Sequence, residues 1–284
     1  MKPGPPAWRT FRPYRRLCQM SVVVAFIVIP FLNMRDITFF SGNLLSFSAG
    51  GFSVMDPLAA LQVIATSGDV NLELACGAGF VLALAFVLGR VFCSWLCPYG
   101  FFSELVHKFR RRPASAITAG PGSGAVFLRV FPALAGVLCV AALAPSPWLN
   151  QLSMPGWYTR FAQHAVFFGV FLPGTLLLPA ALALECALQK RLWCRYLCPQ
   201  AVLPALCACL KDGARVAFRP KKCTCGKGDR PCRKACSLGL DPRRQTLAQR
   251  FECTSCGDCV DACRRVGSGA LRIGQRPTRV TPES

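Results

Sequence analysis

Histidine is almost missing from this chain: two in 284 residues, His107 and His164. Haem held between helices draws on paired histidines, and no C-x-x-C-H stretch exists, so haem is not the expected cofactor. Charge is scarce too, at 16% of residues, and it is lopsided: 33 Lys and Arg against 13 Asp and Glu, a formal net charge of +20. Such an excess suits nucleic acid. Here, however, the basic residues lie just outside apolar runs, as orientation by positive loops demands of a membrane protein, so nucleic acid is not an expected partner. Nothing resembles an acid/base pair or an activated nucleophile. An electron carrier is the expectation over a stand-alone enzyme.

Cysteine is what the chain has in excess, 18 in all. Residues 253 to 263 read CTSCGDCVDAC. Cys253, Cys256, Cys259 and Cys263 have the C-x2-C-x2-C-x3-C spacing of a bacterial [4Fe–4S] ferredoxin run. Three thiolates two residues apart on a tight loop reach three irons of one cubane. The fourth is carried onto a helix and ligates the other cluster in two-cluster ferredoxins. The short residues Thr254, Ser255 and Gly257 let backbone N–H groups approach the sulfurs. A zinc knuckle is the competing reading, but zinc sites come as two separated pairs.

A two-cluster domain needs a second run upstream. Residues 223 to 236, CTCGKGDRPCRKAC, supply Cys223, Cys225, Cys232 and Cys236. The closing C-x3-C step is regular; the earlier gaps, C-x-C and C-x6-C, are not. The expected sets are Cys253, Cys256, Cys259 and Cys236 for one cluster, and Cys223, Cys225, Cys232 and Cys263 for the other. Cluster thiolates require a reducing compartment, so this part is expected to face the cytoplasm.

Apolar residues make up 53% of the chain and are concentrated before residue 211. After a basic stretch (1–16), the run from Leu17 to about Met34 reads as a first membrane helix starting inside, with Pro30 near its outer end. No A-x-A cleavage pattern follows it. Residues 35 to 71, with three Asp and one Arg, suit the outer face. There the stretch from Asp56-Pro57 reads as a surface-lying helix, either part of a quinone pocket or simple packing. Further spans are expected at 72–92, 125–149 and 162–188, with a Pro/Gly/Ser linker at 113–124. Trp148, Trp157 and Tyr158 are placed at an interfacial aromatic belt.

The second and fourth spans each run into C-x3-C-P, as Cys93, Cys97 and Pro98, then as Cys194, Cys198 and Pro199. This internal repeat puts both motifs and the ferredoxin part on one side of the membrane. If the halves pack as a pseudo-symmetric pair, the four thiols converge near the inner surface. They would hold metal or act as redox thiols; the alternative is a pair of inert helix ends marked by Pro. Cys207 and Cys209 lie close by. Cys18, Cys76, Cys139 and Cys186 are expected to be core. His164 beside Gln163 is either a quinone contact or structural.

Taken together, four spans, two C-x3-C-P motifs, FSVMDPLAALQ at 52–62 and a C-terminal cysteine-run part resemble the NapH-type family of membrane ferredoxins. KCTCGKGDRPCRKACSLGLDPRRQ with FECTSCGDCVDAC looks closer to its MauN, methylamine-utilisation members. The resemblance implies electron transfer in the bacterial cytoplasmic membrane, serving methylamine degradation or passing electrons from quinol toward a periplasmic reductase.

The expected fold is an all-α membrane domain of four transmembrane helices (17–210), preceded by a basic cytoplasmic segment (1–16). A small α+β ferredoxin-like domain with two [4Fe–4S] clusters follows (211–284). Both termini would be cytoplasmic. The expected partners are membrane lipid, a quinone and a redox protein. A role in maturing a partner enzyme is the competing functional class. The last 74 residues carry 17 Lys and Arg against 7 Asp and Glu, which suits an anionic leaflet or an acidic partner.

Overall fold

The first helix, α1 (Phe11–Asn33), is 23 residues long, with Pro30 one turn from its end. It has no capping side chain of its own. Instead the amides of Phe11 and Arg12 donate to Asp261 Oδ2 at 3.0 and 3.2 Å. A carboxylate 250 residues away thus satisfies donors that a helix start leaves orphaned, and it meets the positive end of the dipole. The molecule is described by a computed structural model over residues 11–37, 39–109, 153–167, 169, 176–188, 191, 193–210, 215–225, 230–243 and 251–274. The expected third span, the 113–124 linker and the middle of the fourth span lie outside the described residues.

Residues 40 to 55 form a three-stranded antiparallel meander that the all-α expectation did not include: β1 (Phe40–Gly42), β2 (Ser46–Ala49) and β3 (Phe52–Met55). Its chemistry is local. Gly50 and Gly51 both take positive φ, 56° and 87°, as a two-residue hairpin turn demands. Asn43 Oδ1 accepts from the amides of Leu45 and Ser46, closing the other turn. α2 (Pro57–Ser67) then starts where the Asp-Pro pair predicts, Asp56 accepting from the Ala59 amide at 3.1 Å.

α3 (Leu72–Leu88) is apolar, but at 17 residues it reaches about 25 Å, short of a hydrocarbon core of about 30 Å. It ends sooner than the expected 92 because Gly89 turns out of the helix at φ 78° while its N–H still caps Ala85 O. A π-helical turn (Phe92–Leu96) and α4 (Pro98–Phe109) follow. The second half repeats this order. After α5 (Met154–Phe167) come α6 (Leu177–Leu188), a π-helical turn (Trp193–Leu197), a short turn (Pro199–Ala201) and α7 (Val202–Leu210). Among the described residues only α1 is long and apolar enough to cross a membrane by itself.

The halves exchange partners. α3 packs on α7 and α6 on α4, while α2 meets the Pro199–Ala201 turn and α5 meets α4. Between them lies a core of Cys97, Tyr99, Met154, Tyr158, Leu178 and Ala181. Tyr158 is therefore not part of an interfacial belt. Its hydroxyl donates to Val23 O at 2.8 Å and its ring faces Phe102, so its polar end is satisfied inside.

The C-terminal part is bracketed by an antiparallel pair, β4 (Arg215–Phe218) with β5 (Leu271–Gly274), which brings the ends of the two cysteine runs together. Between them lie α8 (Pro231–Lys234) and α9 (Asp258–Arg265). The core is small and cysteine-rich: Val216, Cys232, Cys259, Val260, Cys263, Ala270 and Leu271.

Candidate metal centres

The 253–263 loop curls because Ser255 and Gly257 both sit in the left-handed region, at φ 51° and 83°. Gly257 is also the residue before α9, and a Cβ there would lie 3.1 Å from Phe11. A side chain at 257 would thus press on the start of α1. Cys259 and Cys263, four apart on α9, share its buried face. Cys263 Sγ lies 3.0 Å from Ser268 Oγ.

The structure groups the eight C-terminal cysteines into two neighbourhoods. Cys236 and Cys253 bear electrostatically on one another, and Cys259 feels Cys256, Cys236 and Cys253. Cys223 hydrogen-bonds Cys225, which also feels Cys263. The Arg243 guanidinium faces Cys232, Cys223 and Cys225. Cys232 also bears on Cys259, so the two neighbourhoods adjoin.

Burial pushes the Cys236 thiol up to about 11, and lifts Cys256 and Cys259 further above the usual thiol range. Thiols held protonated this firmly are poor free nucleophiles. They suit coordination to a cation, which deprotonates a bound thiol outright. Among the described residues no three His, Cys, Asp or Glu side chains converge on one ion. The donors are all cysteine sulfurs, the ligand type that iron–sulfur clusters take, so this donor set fits iron–sulfur cubanes.

The C-x3-C-P cysteines form the second constellation. Each pair sits on its own π-helical turn, closed by Cys97 N–H to Phe92 O at 2.9 Å and by Cys198 N–H to Trp193 O at 2.8 Å. Such turns are rare and concentrate at functional sites. Pro98 and Pro199 stand at helix starts, where a missing N–H costs nothing; the sequence expectation of helix ends is corrected. Packing of the halves brings the four thiols together: Cys198 feels Cys93 and Cys97, and Cys194 feels Cys97 and Cys198. Gly100 is hemmed in, since a Cβ there would lie 2.5 Å from Cys93 O. All cysteines with described side chains are reduced thiols. Cys76 is exposed on α3 rather than core, and Cys18, Cys186 and Cys207 are partly buried. Cys139 and the Cys209 side chain lie outside the described residues.

The two constellations meet. Ser94 Oγ, next to Cys93, donates to Thr254 O, next to Cys253, at 2.7 Å. Gln19 Nε2 donates to Ser94 O at 2.7 Å, and Arg90 Nη1 to Phe251 O at 2.8 Å. Beside this seam lies a buried ion network. Arg15 bridges Glu104 at 2.9 Å and Asp258 at 3.1 Å; Arg16 and Arg191 reach Glu104 at 2.9 and 3.3 Å. Burial pulls the Arg15 and Arg191 guanidiniums down, but the nearby carboxylates, Glu104 first, outweigh it and they stay charged. Arg15 is 1% exposed. These arginines are thus packed inside, where the sequence suggested topology signals in loops. Glu185 is buried too, accepting from Ser103 Oγ at 2.6 Å and from the Trp193 amide at 3.0 Å. The missed clue was an acidic residue near each C-x3-C-P motif, Glu104 and Glu185, since such buried groups persist only with partners. His107 Nδ1 lies 2.8 Å from Ser103 O, a helical-turn contact. His164 sits partly buried on α5, away from both thiol sets in sequence and element.

A family model described as a 4Fe-4S binding domain matches residues 70–115 and 168–206. Those segments hold the two C-x3-C-P motifs and stop short of the C-terminal run. The putative electron transport protein YccM of Escherichia coli is 25% identical over 269 residues, covering 90% of this chain and 74% of that protein. The ferredoxin-type protein NapH of E. coli is 26% identical over 264 residues, 90% of this chain and 88% of its own. A methylamine utilization ferredoxin-type protein, MauN of Methylobacillus flagellatus, is 24% identical over 257 residues, 88% and 74%. No solved structure matches. These likenesses support the ferredoxin-type family of NapH and MauN without singling out MauN, an electron-transfer role, and one or two [4Fe–4S] clusters.

Proposed function

We propose that this ferredoxin-type chain is a membrane-bound carrier that moves single electrons between cytoplasmic [4Fe–4S] clusters and a redox centre or quinone beside the C-x3-C-P thiols, at the inner end of a four-span bundle. Cys236, Cys253, Cys256 and Cys259 hold one cluster; Cys223, Cys225, Cys232 and Cys263 hold the other. The bound clusters supply one-electron exchange. The chain's own residues bury the thiols, exclude water and fix the seam between the two constellations. One observation carries the reading: Ser94 joins the Cys93 turn to the Cys253 loop by a 2.7 Å hydrogen bond. A ferredoxin loop docked on the C-x3-C-P turns is what a relay needs, because electron transfer demands close, rigidly held centres. The Asp261 contacts to the start of α1 support a common side for the N-terminus and the clusters.

In this reading the chain lies in the bacterial cytoplasmic membrane with both termini inside, and its membrane-side electron donor is a quinol. A relative named for methylamine utilisation matches over a similar extent, and the irregular 223–236 run favours that service. The NapH relatives favour quinol oxidation toward a periplasmic reductase. The test is EPR of anaerobically reduced protein with iron and zinc counts. Two cluster signals and about eight irons per chain are expected for two [4Fe–4S] clusters. Colourless protein holding zinc alone overturns the proposal.

A further inference from the structure

Between the two thiol constellations the structure packs several guanidiniums around few carboxylate oxygens. Arg15, Arg90 and Arg191 are buried, and Arg16 is partly so. Among the described residues a single carboxylate, Glu104, meets three of them, Arg15, Arg16 and Arg191, and Asp258 also meets Arg15. Burying cations that share one carboxylate is costly, so further negative charge nearby is favoured. A second observation points the same way. Nε of each of Arg15, Arg90 and Arg191 is buried without a hydrogen-bond partner among the described residues. Buried donors are normally satisfied, so three orphans on one seam call for acceptors.

Cysteines that ligate a cluster are thiolates, and these would supply the negative charge. Arg191 bears on Cys194 and Cys97 on the membrane side, and on Cys256 and Cys236 on the ferredoxin side. Its Nη2 is pinned 3.3 Å from Glu104 Oε1 and 3.5 Å from Gly100 O, which fixes the guanidinium between the two sets. Arg15 bears on Cys256, and Arg90 on Cys198.

We infer that Arg191 is a shared counter-charge that sets the reduction potential of the centre held by Cys236, Cys253, Cys256 and Cys259 and holds it poised against the C-x3-C-P thiols. This rests on the cluster assignment proposed above. One-electron reduction adds one negative charge to the sulfur-bound iron and moves no proton. A fixed cation nearby therefore favours the reduced form. Glu104 sets how much of that cation the cluster feels, because it neutralises Arg15, Arg16 and Arg191 together.

The test is a mediated dithionite titration of the full-length, detergent-solubilised protein, followed by EPR. Arg191→Met is expected to lower the potential of one cluster by at least a tenfold change in the reduction equilibrium, 59 mV for one electron. Arg191→Lys keeps the charge and is expected to retain most of the wild-type value. Glu104→Gln, nearly isosteric and safe if Arg191→Met fails to load iron, is expected to shift the same cluster upward. Arg35→Met, at an exposed position, serves as the control and leaves the potential alone. An unmoved potential in Arg191→Met, or an unmoved or lowered one in Glu104→Gln, overturns the inference. Wild-type protein without iron would sink the cluster assignment instead, so the two failures are distinguishable.

Discussion

The ferredoxin loop and the C-x3-C-P turns use the same side chain in opposite surroundings. In the loop, cysteines two residues apart are splayed by left-handed Ser255 and Gly257, among polar groups and beside a basic seam. In the turns, cysteines four apart ride on π-helical turns between apolar helices, and each pair needs the other half of the molecule to meet its partners. One constellation is made by local backbone geometry; the other is made by tertiary packing of a repeat. Damage to the first should therefore be local and severe, and damage to the second should spare the clusters.

The largest expected effect separates them. Cys259→Ser removes one cluster ligand and should cost about half the iron, with loss of one EPR signal, assuming two [4Fe–4S] clusters. Cys97→Ser should leave the iron count unchanged. Equal iron loss in both variants would break the distinction, since the turns would then hold iron as well.

A weaker lever acts on the joint between α1 and the cluster loop. Asp261→Asn replaces a charged cap by a neutral one and should destabilise the docked N-terminus by about 1–2 kcal/mol. Trypsin cleavage after Arg15 would report it as a several-fold faster nick. Ser94→Ala removes the hydrogen bond that spans the two constellations, a loss of about 1 kcal/mol, roughly fivefold in the open population. Hydrogen exchange at residues 251–258 should rise by that factor while iron content holds.

Much of this was readable beforehand, and the reasons differ by region. Spacing singled out the loop cysteines, because cubane ligation tolerates few gaps, and the repeat singled out the turn cysteines. The structure places Cys236 near Cys253 and Cys259, and Cys198 near Cys93 and Cys97. The π-helical form of the turns was not, because a five-residue hydrogen-bond step leaves no mark in hydrophobic period. The meander at 40–55 was missed although Gly50-Gly51 and Asn43 carry ordinary turn chemistry; residues 35–71 were read mainly for their charge balance. The buried arginines were missed because a Lys/Arg run at a span end has the same sequence signature whether it faces lipid heads or an interior carboxylate.

A separate pH-linked effect lies in a residue of neither constellation. Burial pushes the Asp56 carboxyl from about 4 up to about 6. The folded state thus binds the proton more tightly than the unfolded chain. The associated stability is fully present below pH 4 and is lost as pH rises through 6. Thermal unfolding of wild type should show this decline between pH 4 and 6, and Asp56→Asn should lack that component. The cluster signals should not change across that window.

The relay itself is tested most directly by rapid anaerobic mixing with a quinol, followed by freeze-quench EPR. The pair to compare is the wild-type protein and the Cys97→Ser/Cys198→Ser double variant. Full cluster loading in both, with cluster reduction slowed tenfold or more in the variant, is the result this account predicts. Equal reduction rates would contradict it, since electrons would then reach the clusters without passing the C-x3-C-P thiols.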